Sequence, residues 1–193
     1  AAIGQLAVFG VVMLLHTLVM YLLPLRRGAE VAPEYLWSVP AALGLIFGLR
    51  FGAMWVTAAA LKLRLRYRAW ETGVLIVVST IFGGIFFAPG GLYPDRSIYR
   101  YSDLLSKLGS IALSGAAVTL ALGWALWAAR AGGTVLDGSL VADLMLTYIR
   151  VFLIFEVLIP FFPMASFNGR RVLDWNRLLW ALLAIGSGAL LLF

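Results

Sequence analysis

The sequence predicts an all-α polytopic membrane protein with five to six transmembrane helices and a re-entrant segment near residues 73–93. Hydrophobic residues make up 63% of the 193 positions and charged residues only 12%, which is too little polar surface for a soluble domain of this size. Apolar runs of about 20 residues, the length that crosses the roughly 30 Å hydrocarbon core as a helix, recur along the chain. We therefore expect a single transmembrane domain over residues 1–193.

The apolar runs differ in how well they fit a membrane span. Four are long enough to cross, at residues 3–23, 40–63, 108–129 and 140–162. A fifth, at 178–193, is slightly short and could span with local thinning of the bilayer. The segment 73–87 is shorter still and rich in Val and Ile. That composition favours β-structure over a comfortable crossing.

The distribution of basic residues favours a re-entrant path for 73–87. With that path, the loops around 62–72, 88–107 and 164–177 face one compartment and contain ten Lys and Arg, against three on the other side. A crossing would divide them eight against five. The positive-inside rule then places these loops in the cytoplasm, and the protein in the cytoplasmic membrane. Because re-entrant backbone must be covered by protein or water, this path also implies a cavity between helices.

Charged residues inside the predicted spans are candidates for a buried pair. Arg50 lies near the middle of the second span, and Glu156 lies in the fourth together with Arg150. Because isolated charges are expensive in the membrane, we expect Arg50 and Glu156 to form a structural pair. A transport or proton-transfer role is the alternative, but no chain of titratable groups accompanies the pair.

Three glycines form a stripe on the second span. Gly44, Gly48 and Gly52 are spaced by four residues, so they share one face of the helix. Such a flat face lets another helix approach closely. The partner helix can belong to the same chain, as internal packing, or to another membrane subunit.

His16 is the only histidine, and the chain contains no cysteine. One histidine cannot form a metal site alone, and a bis-histidine haem needs two. We therefore expect His16 to hydrogen-bond a neighbouring helix, with haem ligation as the alternative. No cofactor and no metal are expected.

Several stretches together resemble one family. These are LRYRAWE at 65–71, FFAPGGLY at 86–93, LGSIALSGAAVTLAL at 108–122 and VLIPFFPMASFNGRRVLDWN at 157–176. Their order and spacing, over about residues 40–180, resemble the short archaeal members of the site-2 protease family, which are intramembrane zinc metalloproteases. The resemblance implies a protease-like core in that part of the chain.

The residues that would carry the family's chemistry are replaced. Counting back from Trp70, the first histidine, the glutamate and the second histidine of the His-Glu-x-x-His motif fall on Val56, Thr57 and Ala60, in that order. The third zinc ligand, an aspartate in the family, falls on Asn168. Val and Ala cannot bind zinc, and Thr cannot act as a general base near neutral pH. The resemblance therefore implies a pseudoenzyme with the metalloprotease fold.

This interpretation predicts a protein that acts by binding. The leading hypothesis is an accessory or structural subunit of a larger membrane protein complex, with other integral membrane subunits and lipids as partners. A pseudoprotease that holds transmembrane segments without cleaving them is one alternative, and a haem- or ion-handling membrane subunit is another. The 15 Lys and Arg behind the net charge of +6 lie mostly in short loops, where they set orientation and contact anionic headgroups, so we expect no nucleic acid partner.

Overall fold

The computed structural model describes residues 2–82, 84–95, 100–133, 138–160 and 167–193. Within these ranges the protein is mainly helical. The elements are α1 (Ala2–Arg26), α2 (Tyr35–Ala60), β1 (Leu65–Arg68), α3 (Glu71–Ser79) with a 3-10 turn (Thr80–Phe82), β2 (Gly91–Pro94), α4 (Tyr101–Ala131), α5 (Leu140–Leu153) with a π-helical turn (Ile154–Leu158), α6 (Gly169–Trp175) and α7 (Arg177–Leu192).

Three helices among the described residues are long and apolar enough to cross a membrane. They are α1, α2 and α4, and they make this a helical membrane protein. Helix α1 begins and ends within three residues of the predicted span. Helix α2 begins five residues before its predicted span, and α4 begins at Tyr101, seven residues before the predicted 108. The helices at 71–82 and in α7 are apolar but shorter. The count of five to six spans stays a prediction.

The segment after α2 contains a small sheet that an all-α prediction omits. Strands β1 and β2 pair antiparallel, with Leu65 opposite Pro94 and Arg68 opposite Gly91. Residues 71–79 between them form a helix and not the expected β-structure, because β-propensity is weak against the need to satisfy backbone hydrogen bonds in an apolar setting. The pairing brings both ends of segment 69–90 together. A re-entrant path for this segment stays a prediction.

Helix α2 lies at the centre of the core. Its buried residues, Leu43, Phe47, Arg50, Met54 and Ala58, recur every three or four positions, so one face is covered by α4 and α5. The opposite face is exposed, with Leu45 at 48% and Val56 at 72% of their full accessible surface.

The last two helices are joined by a direct capping interaction. The Asn176 side chain accepts hydrogen bonds from the backbone N–H groups of Leu178 and Leu179, at 3.0 and 3.1 Å. These are two of the four amide groups that a helix start leaves unpaired. Trp180 of the first turn of α7 donates to the carbonyl of Val157 at 3.0 Å, which ties α7 to the π-helical turn.

Candidate functional site

The structure brings Arg50 and Glu156 together in the interior. Both side chains are fully buried, and Arg50 Nε lies 3.2 Å from Glu156 Oε1. A second contact joins Arg50 Nη2 to Oε2 at 3.3 Å, so the pair has the bidentate geometry that best compensates two buried charges.

The turn that carries Glu156 has an unusual shape. Ile154–Leu158 is π-helical and follows directly on α5. A π-helical turn is wider than an α-helical turn and commonly marks a functional or ligand-bearing position. Here it orients Glu156 toward α2, and Glu156 is 1% exposed.

Asn168 completes the coordination of the carboxylate. Its side-chain Nδ2 donates to Glu156 Oε1 at 2.8 Å, and its backbone N–H donates to Oε2 at 3.3 Å. Glu156 thus accepts four hydrogen bonds, two from Arg50 and two from Asn168. Both carboxylate oxygens are therefore hydrogen-bonded in the interior, where an unpaired polar atom is costly.

Aromatic rings surround the guanidinium. Arg50 Cζ lies 4.7 Å from the ring centroid of Phe51 and 5.4 Å from that of Phe152. Phe47 packs edge-on against Phe152 with centroids 5.1 Å apart. The cation is therefore held by a carboxylate on one side and by ring faces on others, and these rings shield it from water.

Helix α4 packs at Gly115 against the cluster formed by Arg50, Glu156, Asn168 and Met54. Met54 Sδ lies 3.5 Å from Asn168 Nδ2. A Cβ atom at Gly115 would lie 2.8 Å from Met54 Sδ and 3.0 Å from Asn168 Nδ2. Only glycine lets the backbone of α4 approach this closely. Thr119, one turn further along α4, is buried, and its hydroxyl donates to the Gly115 carbonyl at 2.9 Å.

Of the positions predicted for the zinc site, only Asn168 lies in this cluster. Val56 is 72% exposed, Ala60 is also exposed, and Thr57 is half-buried with its hydroxyl bonded to the Ala53 carbonyl of its own helix. Because residues 54 and 56 are about 200° apart around a helix, Val56 points away from the face that Met54 presents. The predicted register therefore does not bring Val56, Thr57 and Ala60 to Asn168.

A register six residues earlier on α2 would put the motif positions on the buried face. Arg50, Phe51 and Met54 have the i, i+1, i+4 spacing of His-Glu-x-x-His and are all buried. Arg50 and Met54 both contact the Glu156–Asn168 unit, through the bonds described above. The count from Trp70 to the motif positions crosses the loop after α2, where insertions are tolerated, so such a shift would leave no trace in the spacing. The signal that could have found it was the isolated charge at Arg50.

His16 lies elsewhere and uses both ring nitrogens. The backbone N–H of Ala88 donates to Nε2 at 3.0 Å, so the ring proton resides on Nδ1, which donates to the Val12 carbonyl at 2.7 Å. The ring stacks on Phe87. His16 therefore ties α1 to the buried segment that contains Ala88, and both of its ring nitrogens are already engaged by these bonds.

The glycine stripe of α2 is not packed against the rest of the described chain. Gly44 and Gly48 are exposed, and Gly52 is half-buried. A Cβ atom at any of the three would meet no described atom within 4 Å. Of the two interpretations of this stripe, internal packing is therefore wrong for the described residues.

Comparisons with known proteins agree with the resemblance at a coarse level. No family model matches the chain, and no solved structure matches it. The chain is 30% identical over 126 residues to a protein of Methanocaldococcus jannaschii named "Putative zinc metalloprotease". The match covers 62% of this chain and 60% of that relative. The chain is thus a helical membrane protein with a site-2-protease-like relationship.

Proposed function

We propose that this protein is a site-2-protease-like membrane protein that does not hydrolyse peptide bonds and acts as an accessory, structural subunit of a larger membrane complex. One observation carries the proposal. The Arg50 guanidinium lies beside Glu156 and Asn168, where the register Arg50, Phe51 and Met54 would put a metal ligand.

The chemistry of the cluster opposes metal-dependent hydrolysis. Zinc hydrolysis needs three ligands with available lone pairs, an open position for water and a general base. Arg50 has no lone pair to offer and carries a permanent charge that repels a divalent cation. The Glu156 carboxylate is already engaged by four hydrogen bonds. A cation attached to the chain thus occupies the place of a metal ion and holds the helices together.

The exposed face of α2 supports a subunit role. The stripe Gly44, Gly48 and Gly52 is open and is flanked by Leu45 and Leu49, exposed to 48% and 47%. In a bilayer, helices associate through close packing at small residues. The cluster itself is closed by the approach of α4 at Gly115, which argues for the subunit role over the holding of a substrate helix at that point.

Zinc analysis tests the loss of hydrolysis. We expect the purified wild-type chain to bind no stoichiometric zinc, and one zinc per chain would overturn the proposal. The variant Arg50→His/Phe51→Glu/Met54→His/Asn168→Asp supplies three ligands and a base at the cluster and is expected to bind zinc. If this variant is folded and binds none, the structural register is wrong.

A matched variant uses the register predicted from the sequence. Val56→His/Thr57→Glu/Ala60→His/Asn168→Asp introduces the same four residues, but Val56 and Ala60 are exposed and Thr57 is half-buried. We expect no zinc bound at Asn168→Asp in this variant. Zinc binding here, and not in the first variant, would restore the sequence-based register.

Co-purification tests the subunit role. Purification in mild detergent is expected to retain a membrane partner at fixed stoichiometry. Gly48→Leu should release it, because the new side chain enters open space in this chain and obstructs only a second helix. Gly10→Leu on α1, which is equally open, is the control. Loss of the partner in both variants, or in neither, contradicts an interface at the stripe.

A further inference from the structure

An apolar groove of about 520 Å³ runs between α1 and the start of α3. Val8, Val11 and Leu15 line one wall, and Val74 and Leu75 line the other. The side chains of Val11 and Leu75 are 57% and 69% exposed, so the groove opens toward the surroundings of the helices. Glu71 at the first turn of α3 also lies on its wall.

A second pocket continues the groove at its outer end. It has a volume of about 280 Å³ and shares Val8 with the groove. Its other walls are polar and come from Gln5, near the beginning of α1, and from Arg66 and Tyr67 of β1. Because Arg66 and Tyr67 follow shortly after the spanning helix α2 ends at Ala60, this pocket sits at membrane-surface level, and the groove leads from it toward the membrane interior.

The strand beside this pocket presents a row of arginines. Arg64, Arg66 and Arg68 alternate with Leu65 and Tyr67, so their side chains project from one face of the hairpin, and all three are exposed. Arg66 forms a half-exposed ion pair with Asp95 at 3.0 Å. For Arg64 and Arg68 the described part of the chain provides no ion pair.

Tyr67 fastens the strand to the pocket. It is 5% exposed, its backbone N–H donates to Gln5 Oε1 at 3.1 Å, and its hydroxyl donates to the Pro89 carbonyl at 2.7 Å. Burial raises the pKa of the Tyr67 hydroxyl, which keeps the donor protonated. The arginine row is therefore held at a fixed place relative to α1.

The length of the groove limits what can fill it. From Gly4 to Leu15 an α-helix rises about 16 Å, roughly half of the ~30 Å hydrocarbon core. The residues that line the groove end at Leu15 on α1 and at Leu75 on α3, and further along α1 Arg26 Nη1 donates to the Ile81 carbonyl at 2.7 Å. A spanning helix would need the full depth, whereas one lipid chain needs a single leaflet.

We propose that this groove and the arginine row form a binding site for one anionic phospholipid. One hydrocarbon chain lies between α1 and α3, and the phosphate contacts Arg66, flanked by Arg64 and Arg68. Three arginines against Asp95 and Glu71 leave the rim net positive, which complements a phosphate. Glu71 belongs to the lining of the groove and not to that of the pocket that contains Arg66.

Native mass spectrometry of the full chain, exchanged into micelles doped with phosphatidylglycerol or phosphatidylcholine, tests the site. We expect one phosphatidylglycerol per chain to be retained in preference to phosphatidylcholine. Val11→Trp fills the groove and should abolish retention, whereas Leu14→Trp, on the same helix, 59% exposed and outside the groove lining, should not. Equal retention of the two lipids by the wild-type chain would overturn the proposal, and so would equal retention of phosphatidylglycerol by Val11→Trp and Leu14→Trp.

Arginine variants test the headgroup contact. Arg66→Gln/Arg68→Gln should weaken retention of phosphatidylglycerol roughly 30-fold, about fivefold per arginine. The control is the double variant Arg27→Gln/Arg130→Gln, at two exposed arginines outside the groove and the arginine row, and it should leave retention unchanged. Displacement of the lipid by millimolar inorganic phosphate, or a bound protein that Val11→Trp releases, would show a different occupant and overturn the lipid assignment.

Discussion

Replacing Glu156 by Gln should destabilise the protein strongly. The substitution keeps the shape of the side chain but removes the charge that faces Arg50 at 3.2 and 3.3 Å, where neither side chain is exposed. A buried charge left without its partner costs about 3–5 kcal/mol. By the usual scaling for chains of 150–250 residues, that lowers the thermal midpoint by roughly 6–20 °C. Thermal unfolding of the chain in one detergent measures it.

Two further variants separate the charge from the shape. Arg50→Met/Glu156→Gln removes both charges while the amide still accepts from Asn168, so most of the lost stability should return. Asp143→Asn breaks the exposed pair with Arg130 (2.9 Å, side chains 43% and 59% exposed) and should change stability by less than about 1 kcal/mol. A Glu156→Gln variant as stable as Asp143→Asn would refute the reasoning.

Three other substitutions have expected outcomes, each measured by the same unfolding assay. His16→Phe leaves the buried backbone N–H of Ala88 without an acceptor and should lower the free energy of unfolding by about 1–3 kcal/mol. An unchanged thermal midpoint would contradict a structural role for the histidine. Gly169→Ala would put a Cβ atom 2.4 Å from the Glu156 carbonyl oxygen and should destabilise, whereas Gly48→Ala meets open space and should not; equal effects would contradict the packing. Lys62 has φ of 52°, so Lys62→Gly should stabilise by about 1 kcal/mol, and a loss of stability would contradict a strained backbone there.

Part of the site could be predicted from single residues. A lone Arg and a lone Glu in apolar helices must find partners, because an unpaired charge is too costly there, and Arg50 and Glu156 are indeed adjacent. Asn168, which the resemblance put at the third ligand position, bonds to the same carboxylate. Which face of α2 is buried could not be predicted in this way, because Val56 and Ala60 are as apolar as the buried residues around them.

The difficulty of predicting the buried face of α2 has a general physical reason. On a helix of a soluble protein, polar residues mark the outer face. In a membrane, lipid-facing and core-facing positions are both apolar, so Met54 and Val56 look alike in the sequence although one is fully buried and the other 72% exposed.

The sequence by itself therefore determined the class of the protein, its long apolar helices and the need for Arg50 to be neutralised, because each follows from the free energy of placing residues in hydrocarbon. Only the tertiary structure decided which face of α2 is buried, that Met54 and not Val56 meets Asn168, and that the glycine stripe is open. These depend on which helices pack together, and packing between apolar surfaces leaves little trace in composition or periodicity.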